Sequence, residues 1–387
     1  MNQLFKTLSQ ETFFEQYWQR RPYLFRQALP DFSDYLTPEE LAGLALEEEV
    51  DSRLITRESN GAWSLQQGPL EPSIFSQLSE SDWTLLVQSV DSLLPDTAQL
   101  LQHFSFIPGW RLDDIMVSYA TPGGGVGPHI DQYDVFLVQG SGQRRWQVGT
   151  PQHDYEFRYP HPEIKQIAPF QALIDEVLQP GDVLYVPPNT PHDGVAVTPC
   201  MTYSVGFRAP SEALLVQQLL SNLAAQADHQ SNLYQDQSLS RASTQALPPS
   251  ALSWAKNALA GITDRQLITA FGEIVTEPKM EFEPDPIQST ESITALLAKL
   301  EQGKLEAPLS FHLAANCRFT YFQHEAQLLV FINGKVYEFS ITYAEPIKKL
   351  LENRNYCIEN VNISLQDIEF VNRIANLIKD GWVFFKH

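Results

Sequence analysis

Between about residues 112 and 207, apolar positions alternate with polar ones or form short blocks bounded by Gly/Pro turns, which predicts strands packed into a barrel. Gln143-Arg144-Arg145-Trp146-Gln147-Val148 reads as one strand, with Arg144, Trp146 and Val148 on one face and Gln143, Arg145 and Gln147 on the other. In Cys200-Met201-Thr202-Tyr203-Ser204-Val205-Gly206-Phe207 the two faces differ in bulk. Cys200, Thr202, Ser204 and Gly206 form a small face suited to lining a cavity, opposite Met201, Tyr203, Val205 and Phe207. A further strand over 114–120 carries Met116 and Ser118 on one face.

Outside this region the periodicity changes. Residues 1 to about 103 mix short helices and strands, with a helix expected over 39–49. From Ser211, Leu214, Leu215, Leu219, Leu220 and Leu223 recur at helical spacing, and helical character returns over 250–274 beyond the polar stretch 228–244. Such a leucine stripe serves either an internal core or, beyond a completed barrel, a subunit interface. The proline- and acid-rich stretch 276–290 reads as a boundary. After it a helix is expected near 292–302, then two apolar strands around Asn333-Gly334, then helices near 345–352 and 365–379. That order suits a winged helix. The expected architecture is α+β: a barrel domain over 1–210 with its core at about 112–208, a helical segment over 211–275, and a winged-helix-like module over 285–387.

At 387 residues the chain exceeds one ordinary core, and its 43% hydrophobic and 19% charged content marks a folded globular protein. No apolar run approaches membrane-spanning length, and residues 1–19 are neither basic nor apolar enough for a signal peptide, so a cytoplasmic location is expected. Cys200, Cys317 and Cys357 are odd in number and widely spaced, which argues against a disulfide framework and a zinc site. A formal charge of −21 disfavours binding to naked nucleic acid. It favours basic partners, although acidity also serves solubility alone.

The candidate chemistry lies in His129, Asp131 and His192. A His-x-Asp pair opening a strand projects two ligands from one face, and a second His from a neighbouring strand completes a facial triad for Fe(II), leaving positions for a chelating co-substrate and O2. With 9 His and 47 acidic residues, chance supplies roughly one His-x-Asp/Glu match, so context must decide. His161-Pro162-Glu163 has the same spacing, but Pro162 and the preceding Tyr159-Pro160 read as a loop. His129-Ile130-Asp131 instead follows a glycine run, 121–128, and precedes a β-rich stretch, 133–138. Downstream, Pro180-Gly181-Asp182 opens a short apolar strand closed by Pro187-Pro188, and Asn189-Thr190-Pro191-His192 follows at once; this resembles the second half of a cupin, or double-stranded β-helix, metal site.

An inward Arg144 among apolar residues is an expensive charge unless an anion meets it. The distal carboxylate of 2-oxoglutarate is such an anion; a structural ion pair with a buried acid is the other reading. Ser118 and Ser204 are hydroxyl candidates for the same co-substrate, or ordinary strand serines.

On these motifs, together with Leu41-Ala42-Gly43-Leu44-Ala45, Val50-Asp51-Ser52-Arg53-Leu54 and Tyr203-Ser204-Val205-Gly206-Phe207-Arg208-Ala209-Pro210, the sequence resembles the bacterial ribosomal oxygenases. These are JmjC-type cupin proteins that hydroxylate an arginine of a large-subunit ribosomal protein. The resemblance implies that His129, Asp131 and His192 bind iron, and that Arg144 with Ser118 binds 2-oxoglutarate. It also implies a helical dimerisation segment, hence a homodimer, and a winged-helix C-terminal domain. The expected reaction consumes O2 and 2-oxoglutarate, releases succinate and CO2, and hydroxylates a side chain of a basic ribosomal protein. An arginine entering the barrel mouth needs apolar or aromatic walls and an acid; Tyr133, Met116 and Asp114 are the candidates. The iron ligands alone equally suit an asparaginyl or histidyl hydroxylase or a lysyl demethylase. A catalytically silent metal cupin acting as a ribosome-assembly module also fits the acidity.

Overall fold

The computed structural model describes residues 3–152, 154–226, 249–279, 309–314, 317–358 and 365–386, with 294, 295 and 298. It divides into two compact units, Met1–Ala209 and Pro210–His387.

In the first unit the strands are β1 (Tyr23–Phe25), β2 (Ser52–Arg57), β3 (Trp63–Gln67), β4 (Trp83–Val87), β5 (Leu112–Ala120), β6 (Val135–Gln139), β7 (Arg144–Val148), β8 (Phe157–His161), β9 (Ile164–Ile167), β10 (Ile174–Leu178), β11 (Val183–Val186), β12 (His192–Ala196) and β13 (Cys200–Phe207). An eight-stranded sheet runs β1-β11-β6-β13-β5-β4-β2-β3, and a three-stranded sheet runs β10-β7-β12. Every described pairing is antiparallel within them. This is the two-sheet layout of a double-stranded β-helix. Val135, Leu137, Leu184 and Val186 of the large sheet meet Trp146, Val148 and Leu178 of the small one in the space between them.

The other face of the large sheet is buried too. Ile115, Val117, Phe136, Tyr185, Met201, Tyr203, Val205 and Phe207 pack against Phe13 of α1 (Gln10–Gln16), Phe25 and Phe104. Strands buried on both faces read as continuous apolar runs, which is why β6 and β11 show no alternation in sequence. Strands β2 to β4 extend the same sheet, so the barrel's sheet begins well before residue 112. The helix expected over 39–49 is shorter, α2 (Pro38–Leu44), opened by Thr37 in a reciprocal capping box with Glu40. Two single turns, α3 (Val90–Leu93) and α4 (Pro95–Ala98), lead towards β5.

The second unit opens with α5 (Glu212–Gln226), α6 (Pro249–Leu259) and α7 (Asp264–Thr276). Two three-stranded sheets follow: β14 (Leu309–Leu313) lies between β18 (Asn355–Ile358) and β19 (Val383–Lys386), and β16 (Gln327–Ile332) lies between β15 (Phe319–His324) and β17 (Lys335–Ser340). The β16–β17 turn is Asn333-Gly334, both with positive φ, 45° and 77°, as a two-residue hairpin turn requires. Helices α8 (Ala344–Glu352) and α9 (Leu365–Lys379) occupy the two segments expected to be helical. The helix expected near 292–302 and the polar stretch 228–244 fall largely outside the described residues. Helix α7 packs on the β15–β17 sheet, where Gly272 lies against the Phe331 ring with no room for a β-carbon.

Candidate metal centre and co-substrate pocket

His129 and Asp131 do not sit on a regular strand. Strand β6 starts only at Val135, and His129 forms an isolated antiparallel bridge with His192, the first residue of β12. Their amides and carbonyls bond reciprocally, His129 N to His192 O and His192 N to His129 O, 2.9 Å each. The glycine run makes this approach possible. Gly124 and Gly125 have no space for a side chain: a β-carbon would lie 2.1 Å from the Trp83 carbonyl oxygen at Gly124 and 2.4 Å from that of Gly194 at Gly125.

One ligand atom each from His129, Asp131 and His192 lies within 4.8 Å of the other two, the spacing of a site able to grip one ion. His192 is buried and the other two are half-buried, so the cluster opens to one side. Each imidazole is oriented in the same way. His129 Nδ1 meets the Gly127 carbonyl and His192 Nδ1 meets the Thr190 carbonyl, both at 2.9 Å, so each Nδ1–H donates and each Nε2 is left for a metal. Burial and the adjacent His129 push the His192 pKa well below the usual imidazole range, which keeps the ring in its neutral, ligating form.

Arg144 lies on β7, where alternation buries Arg144, Trp146 and Val148 and leaves Arg145 exposed. Arg145 is paired outside with Asp175 at 2.6 Å. Arg144 is 4% exposed, and burial lowers its pKa. Its Nη1 donates to Ser118 Oγ at 3.3 Å and Thr202 Oγ1 at 3.5 Å, its Nη2 donates to the Gly194 carbonyl at 3.1 Å, and its Nε has no partner among the described residues. Among the described residues no carboxylate pairs with it within 4.0 Å, so the buried ion pair that was the other reading of this arginine is not formed. A buried guanidinium with an unmet donor is the expected signature of an anion pocket.

Ser118 therefore touches Arg144, while Ser204 does not: it faces Met116 and Leu137 across β13, one pair further along. Thr202, opposite Ser118 in the register, takes that place. Asp114 and Met116 share the Ser118 face of β5. Met116 packs with Ile55, Leu86 and Ile164, and Asp114 accepts from the Ser89 amide and hydroxyl at 3.0 and 3.1 Å. Tyr133 is 40% exposed; partial burial, then Asp131, Asp114 and Asp113, raise its pKa, which places the phenol in an acidic neighbourhood.

The His161 segment is not a loop. It ends β8, and Pro162-Glu163 forms the turn into β9, where His161 Nδ1 accepts from the Glu163 amide at 3.2 Å and Glu163 accepts from Gln67 at 3.2 Å. A proline fits this outlying two-stranded hairpin because it carries few ladder bonds.

Sequence reasoning missed the clamp behind the triad. Asp134, fully buried, accepts from Tyr185 Oη at 2.5 Å, Gln19 Nε2 at 3.0 Å and Arg111 Nη2 at 3.0 Å. Burial pushes its pKa up and those three donors oppose the shift. The clamp fixes the chain between Asp131 and β6.

A JmjC domain model matches residues 99–215. The Escherichia coli ribosomal protein uL16 3-hydroxylase is 35% identical over 98% of this chain and 98% of its own length. A probable ribosomal oxygenase of Haemophilus influenzae is 42% identical over 54% of this chain and 52% of its own. The structure of E. coli YcfD in complex with cobalt and 2-oxoglutarate superposes with a TM-score of 0.77 at 33% identity, covering 98% of this chain and 99% of that one. Antiparallel two-sheet barrel, converging His-x-Asp and His, and similarity along nearly the whole length agree: this chain belongs to the ribosomal oxygenases of the JmjC type.

Proposed function

We propose that this chain is an Fe(II)- and 2-oxoglutarate-dependent oxygenase that hydroxylates an arginine side chain of ribosomal protein uL16. The observation that carries the reading is the pairing of a three-ligand cluster with a buried, partly unmet arginine on the adjoining strand. His129, Asp131 and His192 would hold the metal through two Nε2 atoms and a carboxylate. Bound there with 2-oxoglutarate, iron supplies the O2-activating chemistry of this class, in which the 2-oxo acid is converted to succinate and CO2. Arg144 holds the distal carboxylate of the co-substrate, with Ser118 and Thr202 fixing the guanidinium and Ser204 lining the same wall. The apolar surroundings of Trp146 and Val148 exclude water and strengthen that ion contact.

Asp114, Met116 and Tyr133 form the wall for the incoming arginine, an acid with apolar and aromatic surface for a cationic head on an aliphatic stem. A chain of formal charge −21 attracts a basic substrate protein at long range. Among the described residues no helix is long and apolar enough to cross a membrane. The substrate, a ribosomal protein, implies an enzyme that works in the cytoplasm, where ribosomes assemble.

The test is intact-mass analysis of ribosomal proteins from cells with and without the protein: uL16 should lose one oxygen in its absence. Purified enzyme with uL16 peptides should couple that oxygen to succinate release, and a peptide with lysine at the target should be a poor substrate, because a point charge does not reproduce a planar guanidinium. Hydroxylation mapped to another residue type would overturn the arginine assignment.

The unit from Pro210 completes the reading. Helix α5 buries Leu219 but leaves Val216 and Leu220, one turn apart on one side of it, exposed at 53% and 46%, an apolar strip suited to a second copy, so the protein works as a homodimer. The strands and helices from 309 onward act as a winged-helix-like protein-binding or structural module. Sedimentation at micromolar concentration tests the dimer, and a monomer there excludes it.

A further inference from the structure

Trp146 lies on the inward face of β7, two residues from Arg144, and is 5% exposed. Its position in the register is between the two ends that 2-oxoglutarate must connect. Val148 pairs with the metal-ligand candidate His192, Trp146 with Gly194, and Arg144 with Ala196. The Trp146 ring lies 6.0 Å from the His192 ring, and the Arg144 guanidinium carbon sits 5.0 Å from the indole centroid. Gly194 is needed for this placement, since a β-carbon there would approach the indole to 2.6 Å.

Among the described residues two buried donors in this corner have no acceptor: Arg144 Nε and Trp146 Nε1. A buried indole N–H without a partner costs free energy comparable to a lost hydrogen bond, and an apolar residue of similar shape would avoid it. Both unmet groups are donors, on neighbouring inward positions of one strand, so the ligand that satisfies both is an acceptor with several lone pairs. A carboxylate has them, whereas a backbone carbonyl lacks the charge that a buried guanidinium requires.

Building on the co-substrate reading above, we propose that Trp146 is a further 2-oxoglutarate-binding residue: its indole N–H donates to the distal carboxylate that Arg144 holds. The ring also forms the floor of the slot, so one side chain sets both the depth of the pocket and its preference for a dicarboxylate over a shorter 2-oxo acid.

Cobalt(II)-loaded protein, titrated with 2-oxoglutarate and with 2-oxobutanoate and followed by its visible absorption, tests this without turnover. Trp146→Phe retains the ring and deletes the donor. It should weaken 2-oxoglutarate binding by roughly tenfold or more, as loss of a hydrogen bond to a charged group does, and leave affinity for cobalt and for 2-oxobutanoate within about twofold. Unchanged 2-oxoglutarate affinity in Trp146→Phe, with Arg144→Ala impaired, would overturn the role of Trp146 alone. Equal weakening of both 2-oxo acids would also overturn it, by reducing the ring to packing. If Arg144→Ala binds 2-oxoglutarate as well as the unaltered protein does, the co-substrate reading itself falls, and this one with it.

Discussion

His129 and His192 are joined through their backbones before any ion is considered: each amide donates to the other's carbonyl at 2.9 Å, and the two imidazole centroids stand 4.1 Å apart. Side chains of a directly opposed, hydrogen-bonded pair point to the same face of a sheet, so the bridge aims both rings to one side. Their Nδ1 atoms are then fixed by the carbonyls two residues earlier, at Gly127 and Thr190. The site is thus organised by main-chain geometry, with Asp131 added by the turn that follows His129.

Removing a ligand should abolish metal binding of catalytic strength. His129→Ala and Asp131→Ala are expected to lose 2-oxoglutarate turnover and to weaken Fe(II) or cobalt binding, because a three-ligand site has none to spare. His161→Ala, with the same sequence spacing but bonded within its own hairpin, should keep both. Metal titration of the three variants checks this, and full activity in either ligand variant sinks the oxygenase reading.

Adjacent arginines should behave oppositely. Arg144→Ala is expected to raise the 2-oxoglutarate requirement while metal affinity stays, whereas Arg145→Ala removes only an exposed pair with Asp175 and should alter neither. Kinetics with varied co-substrate distinguish them; the reverse pattern would contradict the inward face of β7.

Gly125→Ala should damage the site from outside it. The new methyl would meet the Gly194 carbonyl, a backbone atom that moves only with β12 and hence with His192. A loss of about 1–3 kcal/mol in stability, typical of overpacking, should accompany weaker metal binding. Gly43→Ala, on α2 with nothing within 4 Å, is the comparison and should be neutral or stabilising. Urea unfolding and metal titration measure both.

Acid should narrow the stability difference between the metal-free protein and its His192→Gln variant. Folded His192 has a pKa below its unfolded value of about 6.5, so above that pH both states are neutral and the ring adds no pH dependence. As pH falls below it the unfolded chain takes up the proton and the folded one does not, so stability is lost by up to about 1.4 kcal/mol per pH unit until the folded pKa is reached. The glutamine variant lacks that proton. Urea titrations in a chelator at pH 7.5, 6.5 and 5.5 should show the trend, and a difference that widens in acid contradicts it.

Local period carried much of this protein in its sequence. Alternation alone separates Arg144 from Arg145, and in β13 it separates the small face from the Met201, Tyr203, Val205 and Phe207 face that packs under α1. Asn333-Gly334 between apolar runs marks the β16–β17 hairpin, because a two-residue turn with positive φ admits few residue types. Such features depend on a residue and its near neighbours.

Register and convergence were decided by the tertiary structure. Period shows that Thr202 and Ser204 share a face; only the pairing of β13 with β5, Thr202 opposite Ser118, selects which hydroxyl meets Arg144. The clamp on Asp134 gathers Gln19, Arg111 and Tyr185 from distant parts of the chain, and no spacing in the sequence announces it. Strands β2 to β4 join the large sheet for the same reason. A strand's pattern states which side it buries, but its neighbour is chosen by long-range hydrogen bonding and packing that any one segment leaves undetermined.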